Sequence, residues 1–148
     1  MNLDYSGLFH RINRSEAAIN KTIAAYKAGI PCAKEDWPFL VAQVWDHIRL
    51  HFNDANTNVS QVLDEHNIHT NTFQGVFRSY TGWTVKGIIV YHRIEVAKQL
   101  LEGGELMVNE VARGVGYAGT VSFNRMFKKV VGETPTGYKK LKQDIWLN

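Results

Sequence analysis

The stretch VNEVARGVGYAGTVSFNRMFKKVVG (residues 108–132) has a degenerate copy upstream, VSQVLDEHNIHTNTFQGVFRSYTG (residues 59–82). Val59, Val62 and Leu63 pair with Val108, Val111 and Ala112. Ile68, Phe73, Phe77 and Gly82 pair with Tyr117, Phe123, Phe127 and Gly132. The offset is 49 residues before Ile68/Tyr117 and 50 after, so the downstream copy has one extra turn residue. Each copy reads as a short helix, a tight turn and a second helix. Phenylalanines at i and i+4 put two aromatic anchors on one face of that second helix. A glycine five residues after the second phenylalanine then stops it, as glycine does just past a helix end. Two short helices joined by a tight turn form a helix-turn-helix unit, and two copies in matching register predict two such units.

The rest of the chain falls into place around this pair. From Thr84 to about Glu102, Val85, Ile88, Ile89, Ile94, Ala97, Leu100 and Leu101 follow a helical period, with Thr84 as cap and Gly103-Gly104 as stop. At 1.5 Å per residue this linker helix is roughly 28 Å long, a strut between the units. A helix over 136–145 follows Pro135. Upstream, a helix opens near Pro38 with Phe39, Leu40, Val44, Ile48 and Phe52 apolar. Residues 1–37 read as an N-terminal helical extension, in which Ser15 caps a short helix with Ile19, Ile23 and Tyr26 on one face, ending at Gly29. The expected organisation is all-α: the extension 1–37, then one domain over 38–148 that holds both units. Within that domain lie a first unit at 58–82, a linker at 84–102 and a second unit at 108–132.

With 45% apolar and 21% charged residues among 148, the chain can bury a core. One cysteine, Cys32, excludes a disulfide framework and a Cys-rich zinc module, and reads as an inert buried thiol. No apolar run reaches the roughly 18 residues of a membrane helix, and no signal peptide fits the charged first thirty residues. The expectation is a cytoplasmic protein without membrane contact. His47 and His51 lie one turn apart, as metal ligands can, but no third ligand stands at suitable spacing. Asp54, Asn56, Asn58 and Glu65 have the spacing of a calcium loop, yet Val59 occupies the position where the sharp turn needs glycine. Asn58 and Gln61 read instead as a capping box. No metal, cofactor or catalytic constellation is expected, and no enzyme.

The second half of the chain resembles the AraC/XylS transcription regulators. Arg93-Ile94-Glu95-Val96-Ala97-Lys98-Gln99-Leu100-Leu101 is similar to that family's R-L-x-x-A-x-x-L-L strut. Val108-Asn109-Glu110-Val111-Ala112, Val115-Gly116-Tyr117, Phe123 to Lys129, Gly132-Glu133-Thr134-Pro135 and Tyr138-Lys139-Lys140 continue the match. The resemblance implies that 38–148 is a stand-alone, homeodomain-like AraC-type domain of two helix-turn-helix units that binds double-stranded DNA, with RNA polymerase as a further partner. Residues 1–37 match no part of the family and are free for docking, self-association or partner contact. The first unit departs from the pattern. Leu63 replaces the small residue kept as Ala112, and Asn67 replaces the turn glycine Gly116. His69 stands at the usual cap position with Thr70 after it, and Gly75 stands where the second unit has Arg125. These departures bear on base reading by the first unit. They motivate an alternative reading as a helical interaction module, or anti-activator, with weakened DNA recognition.

In such units the second helix enters the major groove. For the first unit this helix is expected over about 70–81, with Thr70, Asn71, Gln74 and Arg78 toward DNA. Asn and Gln pair bidentately with adenine. For the second it spans about 120–131, with Thr120, Val121, Asn124, Arg125, Lys128 and Lys129 outward. There Val121 suits a thymine methyl, and Asn124 or Arg125 suits adenine or guanine. The net charge of +3 hides a local concentration, because residues 120–142 carry six basic side chains against Glu133 alone, a local +5. Successive major-groove sites on one face of B-DNA lie about 34 Å apart, more than the strut spans. Either the DNA bends or one unit binds more weakly, and Gly75 marks the first unit as the weaker. Circular-permutation gel shifts should therefore show bent DNA, or Arg125→Ala should cost more affinity than Gln74→Ala. Straight DNA together with equal losses would refute both.

Overall fold

The computed structural model describes residues 6–147, so residues 1–5 of the extension and residue 148 lie outside the described residues. Among the described residues there are eight helices and no strand. They are α1 (Ser6–Gly29), α2 (Phe39–His51), α3 (Val59–Glu65), α4 (Thr72–Thr81), α5 (Val85–Glu102), α6 (Val108–Gly114), α7 (Thr120–Val131) and α8 (Pro135–Leu147). The expected all-α fold of two helix-turn-helix units on a linker helix is therefore present. α5 is the axis, packing against α1, α4, α6 and α8. Its 18 residues make a rod of about 27 Å. Every apolar position assigned to it from the sequence is buried, and His92, Arg93 and Val96 are buried with them. A helix apolar nearly all round is what a central element requires.

The two copies fold alike where their residues agree. Phe73 and Phe77 meet at 6.0 Å between ring centroids, and Phe123 and Phe127 at 5.6 Å. Gly82 (φ 80°) and Gly132 (φ 91°) close α4 and α7 in the left-handed region, each N–H bonding the carbonyl four residues back at 2.8 Å. That conformation is strained for a residue with a Cβ. The repeat extends further than residues 59–82 and 108–132. Thr84 Oγ1 accepts the Gly87 N–H at 2.9 Å, and Thr134 Oγ1 accepts the Gly137 N–H at 3.1 Å, so both following helices start on the same threonine cap.

Several expectations are corrected. α1 begins well upstream of Ser15, which sits inside it. The Ser15 hydroxyl donates to Glu110 of α6 at 3.2 Å instead of capping. α1 survives as a long helix because Ile19 and Ile23 join the common core and Gly114 leaves room for Ile19. A Cβ at residue 114 would lie 2.8 Å from the Ile19 methyl. α8 runs two residues beyond Ile145. Of the apolar residues named around α2, Val44, Ile48 and Phe52 are buried together with Val41, while Phe39 and Leu40 are exposed, because the inner face of α2 follows from where α3 and α4 lie. Cys32 is exposed, as it sits in the loop between α1 and α2. Asn58 does cap α3, accepting the Gln61 N–H at 3.0 Å, but the Gln61 side chain turns to Glu65, so the reciprocal half of the box is missing. His66 joins His47 and His51 as a third imidazole, its Nε2 3.0 Å from His47 Nδ1. Among the described residues no group of three such side chains is arranged to hold a metal ion.

α1 is held at its far end by chemistry. The Tyr26 hydroxyl lies 2.8 Å from His92 Nδ1, with Phe52 against both rings. Burial pushes the His92 imidazole down to about 4 and the Tyr26 hydroxyl up, so a neutral ring is paired with a neutral phenol. The unfolded chain protonates His92 near its ordinary 6.5. Stability from this site is therefore complete above that pH and falls as pH drops from 6.5 toward 4. Urea titrations should lose on the order of 2 kcal/mol across that window through His92. His92→Gln, which keeps an acceptor for Tyr26 but cannot titrate, should fall less steeply, and parallel curves would refute the assignment.

Candidate nucleic-acid interface

α7 forms as its pattern requires. Phe123 and Phe127 are buried completely, which turns Val121, Asn124, Arg125 and Lys128 to the opposite side, where all four are exposed. Val121 is 73% exposed, a large apolar side chain offered to solvent on a helix with no packing need for it there. Lys129 is also exposed, and Thr120 is half-buried at the first turn. The helix spans residues 120–131, as expected from the sequence. Its positioning partner α6 packs beneath it. The Met107 N–H donates to Glu110 Oε2 at 2.8 Å, fixing the start of α6. Ala112 is fully buried, and the α6–α7 turn passes through Gly116 at φ 107°.

The first unit is built on the same plan with different chemistry. Asn67 takes the turn at φ 55°, a left-handed position that asparagine tolerates better than most residues. α4 begins at Thr72 rather than Thr70. Thr70 and Asn71 precede it, and Asn71 is in the cap position but its side chain makes no capping bond. Thr70, Asn71, Gln74 and Arg78 are all exposed. Asn71, Gln74 and Arg78 follow one another at three- and four-residue spacing, so the structure brings them onto one side as α7 does with its set. The contrast is charge: Arg78 is the one basic residue of this set, whereas α7 carries Arg125, Lys128 and Lys129.

Not all of the basic end faces outward. Lys139 Nζ donates to the Leu106 carbonyl at 2.8 Å, and Lys142 lies 5.5 Å from the centre of the Tyr138 ring. These two lysines tie α8 to the loop before α6 and to their own helix. The outward charge is thus concentrated on α7 itself.

Sequence reading missed the groups that hold the two units together. Arg93, quoted only as part of a family motif, is buried on α5. Its Nε donates to the Phe52 carbonyl at 2.7 Å, and its Nη2 donates to the Asp54 and Thr57 carbonyls at 3.0 and 2.7 Å. Its guanidinium lies 5.3 Å from the centre of the Tyr117 ring. An arginine inside an otherwise apolar helical stripe was the available signal, since arginine is rarely buried without partners.

Comparison with known proteins places this geometry. A family model described as a helix-turn-helix domain matches residues 62–141, more than half of the chain. The melibiose operon regulatory protein of Escherichia coli (strain K12) is 26% identical over 125 residues, covering 84% of this chain and 40% of that protein. The Msm operon regulatory protein of Streptococcus mutans is 24% identical over 86 residues, covering 58% of this chain and 31% of that protein. The chain thus spans less than half the length of these relatives. The C-terminal domain of AraT, a response regulator from Geobacillus stearothermophilus, shares the fold with a TM-score of 0.66 at 24% identity, over 72% of this chain and 88% of that one. The DNA-binding domain of AdpA, solved in complex with a target DNA, superposes with a TM-score of 0.62 at 25% identity, over 70% and 93% of the two chains.

Gly75 is exposed within α4, and a Cβ built there meets nothing within 4 Å. Gly75→Ala should therefore stabilise the protein by about 0.5–1 kcal/mol in chemical denaturation, the usual helix-interior difference. Gly75→Arg should fold equally well and bind duplex DNA more tightly than Gly75→Ala does. Equal DNA affinity of the two variants would show that position 75 does not approach the duplex.

Proposed function

The chain belongs to the AraC/XylS family of helix-turn-helix proteins, and from that premise we propose that it is a sequence-specific DNA-binding transcription regulator reading the major groove with α4 and α7. One observation carries the reading. α7 is locked by two buried phenylalanines and offers Val121, Asn124 and Arg125 as base-reading groups, with Lys128 and Lys129 for phosphate. α4 offers Asn71, Gln74 and Arg78 with less charge, so α7 supplies most of the electrostatic affinity and α4 adds adenine preference. The protein acts in the cytoplasm, where its DNA is, and performs no catalytic step. RNA polymerase is a partner, and the exposed Leu8, Phe9 and Ile12 on the first turns of α1 are the part of the extension left for self-association or partner contact. Among the described residues no helix is long and apolar enough to cross a membrane.

The low charge of α4 and the bare Gly75 favour one competing reading, an interaction module that has kept the fold without specific DNA binding. A salt series on a site selected from a random DNA pool separates the two. For a regulator, log K falls linearly with log salt, and Lys128→Ala and Lys129→Ala each flatten the slope by about 1. A selection that enriches no sequence, with affinity insensitive to salt, would establish the interaction module instead.

A further inference from the structure

Arg93 joins the segment that enters the first unit to the turn of the second. Its three hydrogen bonds all go to main-chain carbonyls of the segment joining α2 to α3, at Phe52, Asp54 and Thr57. The face of its guanidinium meets Tyr117, in the turn between α6 and α7. That turn approaches so closely that a Cβ at residue 116 would lie 2.9 Å from Arg93 Nε, and Gly116 is also held at φ 107°. Among the described residues no carboxylate forms an ion pair with this cation. Carbonyls of the segment entering unit one take three of its five N–H donors, and the ring of Tyr117 from unit two covers it. Thr57, at the end of the bound segment, is itself buried, with its Oγ1 donating to the His51 carbonyl at 2.7 Å. The next residue, Asn58, is the cap of α3. One planar side chain therefore registers the entry to the helix-turn-helix of unit one against the turn of unit two.

We propose that Arg93 is the positioning residue that sets the spacing of the DNA site, by coupling the two units so that α4 and α7 present one fixed separation to the duplex. This rests on the two-unit reading given above. A rigid connection makes binding of the second unit intramolecular, and its gain is lost when the connection is loose. A lysine keeps the cation but is a point donor on a flexible stem, and it cannot hold three carbonyls and an aromatic face in one plane.

The test uses the 148-residue chain in selection from a random DNA pool. Wild type should enrich two short motifs at a single spacing. Arg93→Lys should enrich the same two motifs at several spacings. On the wild-type site it should lose about tenfold or more in affinity, while a duplex carrying the α7 motif alone should be bound within about twofold of wild type. A general loss of stability would weaken both duplexes together and leave the spacing unchanged. Should Arg93→Lys fail to give a cooperative melt, Tyr117→Leu removes the covering ring, leaves the three carbonyl bonds in place, and should spread the spacing in the same way. Retention of a single spacing by the folded variant overturns the role of Arg93 and leaves the two-unit reading intact. A wild-type selection that yields one motif only overturns both.

Discussion

The buried guanidinium of Arg93 is the constraint on which the arrangement of the two units depends. A cation taken out of water is costly unless its donors find partners, and here three of the five donate to main-chain carbonyls. Main-chain carbonyls cannot move without moving their segment. The bond therefore fixes a piece of backbone, whereas an ion pair would fix only a side chain. The turn on the other side is equally constrained, because Gly116 has no Cβ and Tyr117 lies against the guanidinium. α5 would hold the units at a distance with or without this arginine. Rotation and register of one unit about that rod are what the clamp removes.

α1 reinforces the same result from outside. Ser15 reaches Glu110 in the second unit, Ile19 fills the space beside Gly114, and Tyr26 reaches His92 and Phe52 at the first. One helix therefore spans both halves of the molecule. Its burial adds Ile19 and Ile23 to the common core, and Ile30 just past its end joins them. The outward surface is what remains once these inner contacts are made. On α7 that remainder is basic and on α4 nearly neutral, so two units of one design differ most where they would meet a ligand.

The second unit was legible residue by residue, and the first only in outline. α7 begins and ends where its pattern places it, because Gly119 and Gly132 bracket an unambiguous run with phenylalanines at i and i+4. α4 begins later than expected because His69, Thr70 and Asn71 are all acceptable at a helix start, and propensity does not choose among them. Ser15 misled for a related reason. Serine is common at helix starts, but α1 continues upstream of it, and its hydroxyl is taken by Glu110, far away in sequence. Cys32 was assigned to the interior on residue type, though a loop between two docked helices keeps it at the surface.

Periodicity, caps and glycine stops within short windows of chain are enough to read the helices other than the start of α1, the duplicated unit, the linker and the outward residues of both recognition helices. How the units are joined emerges with the packing of the helices. Arg93 with Phe52, Asp54, Thr57 and Tyr117, Tyr26 with His92, Ser15 with Glu110, and His66 beside His47 are pairings between residues distant along the chain. Local preference carries no information about such partners, because a buried arginine or histidine is set by whichever carbonyl, ring or hydroxyl the packed helices bring to it.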